Sequence, residues 1–190
     1  MDPIDDLHVK LNKIRCRNED QNNYFYPHQA VRQLINPSVV RKTLKSKHIK
    51  PYEVEEAARY LLERGGCRTF AILVLLQRPH LFPQFIKDDR LQHADLDHRM
   101  PYSLEKLEGL LSPPISSEFW DKQWEFTAPF FSESSFARVL PDEFVLPFLK
   151  KDTLVGTGAL GHVYEIVIEP SYLPASPSWQ GKVGTIAPSS

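Results

Sequence analysis

The sequence predicts a mainly α chain of the α+β class, a helical N-terminal domain followed by a C-terminal β-hairpin. Three observations carry that expectation. Apolar residues recur at helical spacing as far as Phe131. From Phe148 the text changes to strand, glycine turn, strand. The 16 prolines cluster late, so the last third differs from what precedes it.

The helices follow in order. Asn36-Pro37-Ser38 has the form of a cap with proline in the first turn, and Val39, Val40 and Leu44 then recur at helical spacing. Pro51 to Arg64 is the clearest helix. Val54, Ala57, Ala58, Leu61 and Leu62 form one stripe, with Glu53, Glu55, Glu56, Arg59 and Glu63 mostly outside it. Gly65-Gly66 ends it, since glycine accepts a left-handed stop. Cys67 to Gln77 is apolar nearly all round, which predicts a buried central helix. Pro79 opens a short helix through Leu81, Phe82, Phe85 and Ile86. Asp88 to Pro101 is charged and aperiodic, hence a surface loop. Tyr102 to Leu111 is a short helix, and Ser116-Ser117 with Glu118 opens another, carrying Phe119, Trp120, Trp124 and Phe126.

After Phe131 the expected division is a connector with short strands over 132–147, a hairpin over 148–169 and a disordered tail over 170–190, with the helical domain spanning 1–131. The connector's apolar stretches are Ala137 to Leu140 and Phe144 to Leu146. The second hairpin strand, His162 to Glu169, is rich in β-branched residues.

Composition narrows the function classes. A formal net charge of −1 offers no bulk attraction to nucleic acid or anionic membrane, so neither is an expected partner. The longest apolar run, Phe70 to Leu76, is too short to span a bilayer, and the acidic start lacks the layout of a signal peptide. Cys16 and Cys67 form no CxxC-type pair and read as reduced thiols of an intracellular protein, cytoplasmic or nuclear.

Gly156-Thr157-Gly158-Ala159-Leu160-Gly161-His162-Val163-Tyr164 reads G-x-G-x-x-G-x-V-Y. A dinucleotide-binding turn needs a helix after its third glycine. Here a β-branched strand follows, which is the protein-kinase order. In that order the glycines let the backbone approach ATP phosphates where a side chain would intrude. The bland alternative is a glycine-containing hairpin with no ligand.

The segments CRTFAILVLLQRPHLFPQFI (from Cys67), FWDKQWEFTAPFF (from Phe119) and VLPFLKKDTLVGTGALGHVYEIVIEP (from Val145) resemble a group of fungal serine/threonine protein-kinase-like proteins that carry a helical region ahead of the kinase domain. The resemblance runs from residue 50 or so to residue 170. It implies that Gly156, Gly158 and Gly161 cover the phosphates and that Val155 and Val163 roof the adenine. Leu160 departs from the aromatic or small residue common at that tip. The resemblance implies ATP as the family's cofactor, and tight binding is not expected here. No V-A-I-K strand, HRD, DFG or APE appears, and Lys182, the only downstream lysine, lies in a poor strand context. No residue is therefore assigned a catalytic or metal-binding role, and no phosphoryl transfer is expected of this chain. The expected function is a non-catalytic N-terminal part of a protein-kinase-like protein. The alternative is a helical protein-interaction module with an incidental hairpin and another protein as partner.

Weaker signals have plainer readings. Arg41, Lys42, Lys45, Lys47, His48 and Lys50 could touch phosphates, but the rest of the chain balances them and a solvated helix face suffices. His93, Asp95, Asp97 and His98 offer metal ligands within what reads as a surface loop. Ser116, Ser117, Glu118 and Asp121 show no nucleophile-and-base logic and read as a cap and helix surface. Phe119, Trp120, Trp124 and Phe126 are core residues by spacing.

Overall fold

The computed structural model describes residues 2–47, 49–88, 95–131, 139–158 and 161–174, with backbone pairing alone for 152–158 and 161–163. Among these residues lie eight α-helices and two small antiparallel sheets, so the chain is mainly α within the α+β class.

Helix α1 (Pro3–Ile14) has Asp2 as its cap, accepting from the Ile4 amide at 3.0 Å. It buries Ile4, Leu7 and Leu11 along one face. Strands β1 (Cys16–Asn18) and β2 (Asn23–Phe25) then pair as a short hairpin. This corrects the all-helical reading of the first 131 residues. Three-residue strands are too brief to leave an alternating signature. Helix α2 (His28–Leu34) follows.

Helix α3 (Pro37–Lys45) starts where its cap predicts, with Asn36 accepting from the Val39 amide at 3.1 Å. Helix α4 (Pro51–Arg64) ends at Gly65, whose φ of 82° a side chain would resist. Its stripe needs one correction. Leu62 is 73% exposed, whereas Tyr60 is buried. Helix α5 (Cys67–Leu75) is the predicted central helix, with Phe70, Ala71, Ile72, Leu73 and Val74 fully buried. It packs on α1, α2, α6 (Phe82–Lys87) and α8 (Pro113–Gln123). Phe70 meets Phe82 edge-on, and Phe85 stacks on Phe119 at 5.4 Å between centroids.

Helix α7 (Leu104–Glu108) is shorter than the predicted Tyr102 to Leu111. Helix α8 begins at Pro113 behind Ser112, not at Ser116. Ser116 is buried and donates to the Pro113 carbonyl at 2.8 Å. Asp88 to Pro101, expected on the surface, also needs correction. Leu96 to Arg99 form a 3₁₀ turn that buries Leu96 and Asp97.

Residues 139–147 run as a turn and extended chain without ladder partners. Strands β3 (Phe148–Gly158) and β4 (Gly161–Ile168) then form the C-terminal hairpin. The expected disordered tail begins with order instead. Pro170–Tyr172 form a 3₁₀ turn, and Tyr172 is 1% exposed. Residues 175–190, Lys182 included, lie outside the described residues. Among the described residues no helix is long and apolar enough to cross a membrane.

Candidate functional site: the glycine-rich hairpin

β3 and β4 run antiparallel, with Gly156 opposite Val163, Thr157 opposite His162 and Gly158 opposite Gly161. The third glycine thus opens a strand, as the β-branched run after it dictates. The ladder shifts register between Phe148 and Lys150, between Lys151 and Leu154, and between Leu154 and Gly156. Such irregularities bend a strand and increase its twist. The side chains of Val155 and Val163 lie outside the described residues, as does the Ala159-Leu160 tip.

Lys151 stands near the base of the hairpin. The Lys151 ammonium lies 4.6 Å from the Tyr164 ring centroid and pairs with Asp20 of the β1–β2 turn at 2.7 Å. Tyr164, Ile166 and Ile168 are half-buried on one face, while Glu165 and Val167 point to solvent.

The base joins a second small core of Phe25, Ala128, Val145 and Tyr172, flanked by Phe131, Leu149 and Ile168. Tyr172 donates its hydroxyl to the Tyr26 carbonyl at 3.0 Å, and the Phe131 amide donates to the Tyr172 carbonyl at 2.9 Å. Burial pushes the Tyr172 phenol above its ordinary range, so it is a permanent donor there. Nothing in the local sequence marks Tyr172, Asn18 or Gln21, because their partners are more than a hundred residues away in the chain.

The other sequence candidates resolve as structure. Asp97 accepts from the Arg68 amide at 3.0 Å and the Thr69 amide at 3.2 Å, capping α5 behind the side-chain-less Gly66. Burial pushes its carboxyl up, with Arg68 and the two amides pulling the other way. Asp95 accepts from the Asp97 amide and lies 3.4 Å from His98. His93 lies outside the described residues. No group of three or more metal-ligating side chains occurs among the described residues. In the basic segment Arg41 pairs with Glu55 at 2.7 Å, and His48 lies outside the described residues. Phe119 and Phe126 are core, Phe126 stacking on Tyr26 at 4.2 Å. Cys67 is buried and its thiol is pushed up to about 12, which makes it an inert core thiol.

An open groove of about 570 Å³ lies between α2 and α4, lined by Arg32, Leu61, Leu62, Arg64, Asp95 and His98 among others. None of the described residues of the hairpin lines it. No family model, no curated protein and no solved structure matches this chain.

Proposed function

We propose that the chain is the helical and loop-bearing part of a protein-kinase-like protein, keeping the turn that covers ATP phosphates and transferring no phosphate itself. The antiparallel pairing of β3 with β4 about Gly156, Gly158 and Gly161 carries this reading. A dinucleotide-binding turn would need a helix after Gly161, and a strand stands there. The sequence holds neither an HRD nor a DFG aspartate to accept a hydroxyl proton or hold magnesium. ATP binding is weak on this reading, because a hairpin alone buries little of a nucleotide.

Amide chemical shifts under an Mg-ATP titration to about 10 mM test it. Shifts at Gly156, Gly158 and Gly161, with a Kd weaker than about 1 mM, support it. No shift there, or shifts confined to the helices, rejects it.

One observation favours the second reading, a helical protein-interaction module. Leu62 is 73% exposed beside the groove of Arg32 and Arg64, although Val54, Ala57, Ala58 and Leu61 of the same helix are buried. In that case Leu62→Asp abolishes partner binding and leaves the glycine amides unmoved.

A further inference from the structure

The hairpin is held at both roots by residues that no glycine motif contains. Before β3, the Gln21 carboxamide donates to the Phe144 carbonyl at 3.1 Å and accepts from the Leu146 amide at 2.8 Å. A carboxamide offers a donor and an acceptor side by side, as a peptide unit does. Gln21 therefore pairs with the extended chain at 144–146 as a neighbouring strand would. Asn18, fully buried, donates to the Leu146 carbonyl at 2.8 Å and to Gln21 Oε1 at 2.9 Å, and its own Oδ1 accepts from the Gln21 amide. Both side chains are thereby fixed by each other before they meet the connector.

After β4, the Glu169 amide donates to the Pro147 carbonyl at 2.9 Å, closing the hairpin below its last ladder pair. The Glu169 carboxylate then accepts from the Ser171 amide and sets the 3₁₀ turn that delivers Tyr172. The Tyr172 ring meets Phe25 edge-on at 6.1 Å and Phe130 at 5.1 Å. Its hydroxyl reaches the Tyr26 carbonyl, next to the start of α2. Phe148, first residue of β3, stacks on Phe131 at 6.1 Å. The contacts at one root come from the β1–β2 turn. Those at the other come from the end of β2 and the segment that follows α8.

We propose that Asn18, Gln21 and Tyr172 are positioning residues for the glycine-rich turn, so that the helical domain sets where that turn is presented. A two-stranded hairpin is marginal in water alone, so fixing both roots to a packed body supplies what a wider sheet would otherwise give. The ligand side of this inference rests on the nucleotide-covering reading above, whereas the anchoring side does not.

The test uses the whole chain with Gln21→Ala, Tyr172→Phe and Tyr172→Ala, read by amide hydrogen exchange and by Mg-ATP titration. In Gln21→Ala and Tyr172→Ala, the amides of Ile166 and Ile168 should exchange on the order of 10- to 100-fold faster. Those of Phe70 to Leu73 in α5 should change by less than about threefold. Tyr172→Phe, which loses only the hydroxyl, should show a few-fold effect. The ATP Kd read at the glycine amides should weaken with the exchange, because only the anchored fraction is competent. Unchanged β4 exchange in both alanine variants overturns the proposal. So does equal acceleration in α5, which would make Tyr172 a core residue of one cooperative unit. An unchanged ATP Kd despite faster β4 exchange overturns the positioning role. If the unmutated chain shows no glycine response to ATP while β4 exchange behaves as expected, the nucleotide reading fails and the anchoring stands.

Discussion

Asp97 and Arg68 hold each other in both directions. The Asp97 carboxylate accepts from the Arg68 amide at 3.0 Å, and the Arg68 guanidinium donates to the Asp97 backbone carbonyl. The same guanidinium donates to the Phe126 carbonyl at 3.0 Å. One pair thus ties the start of the central helix to the 95–99 turn and to the 3₁₀ turn, Trp124–Phe126, that follows α8. Removing the carboxylate leaves the α5 amides and a half-buried guanidinium without it. Asp97→Ala should cost about 3 kcal/mol. Asp97→Asn, which keeps one acceptor oxygen, should cost about 1 kcal/mol. Urea denaturation reads both, and equal losses in the two variants would contradict the capping role.

Gly66 stands at φ 100° as the cap residue of α5. A Cβ there would meet the Phe82 ring at 3.2 Å and Leu96 Cδ1 at 3.3 Å. Conformation and packing therefore act together, and Gly66→Ala should cost on the order of 2 kcal/mol. A melting temperature within a degree of the parent would refute this.

His28 is half-buried at the start of α2, its ring edge-on to Phe130 at 5.7 Å. Burial, then Arg68 and Arg32, lower its pKa to about 4, and Asp95 opposes them. Because the folded pKa lies below the unfolded value near 6.5, the unfolded chain binds the extra proton between the two. Stability is complete above pH 6.5 and falls as pH drops toward 4. The slope should stay below the one-proton limit of about 1.4 kcal/mol per pH unit, because part of the ring meets solvent. Urea midpoints across that window, compared with His28→Gln, measure it. An identical slope in the variant would exclude His28 as the cause.

The sequence reading assigns the helical domain to residues 1–131. The structure makes its first helix part of the core, because Ile4, Leu7 and Leu11 of α1 belong to the same cluster as Phe70 and Phe119. Residues 2–131 should give a helical circular-dichroism spectrum and a cooperative melt, somewhat less stable than the parent for want of Tyr172 on Phe25. Residues 20–131 should melt without cooperativity. A cooperative melt of the shorter chain would show that α1 is dispensable.

With Mg-ATP and generic protein substrates the chain should give no turnover above a Gly156→Asp control. The observation behind this is the absence of HRD and DFG aspartates from the sequence. Phosphate transfer above that control would be the contrary result.

Local chemistry was enough to locate α3, α4, α5 and the hairpin. Asn36 caps three residues on, Gly65 stops a helix at its own φ, and the β-branched run after Gly161 excludes a helix there. Each of those signals acts within one or two turns of chain, so it is complete in the sequence. The tertiary structure alone decided the rest. Asp97 reads as a surface acid until a chain reversal brings it to amides 29 and 28 residues earlier. Leu62 fits the helical stripe yet faces solvent, because no element among the described residues packs over it. Tyr172 stands in a proline-rich stretch that composition assigns to disorder, and its hydroxyl finds an acceptor 146 residues away. A side chain's burial depends on what the whole chain folds against it, and no window of sequence contains that.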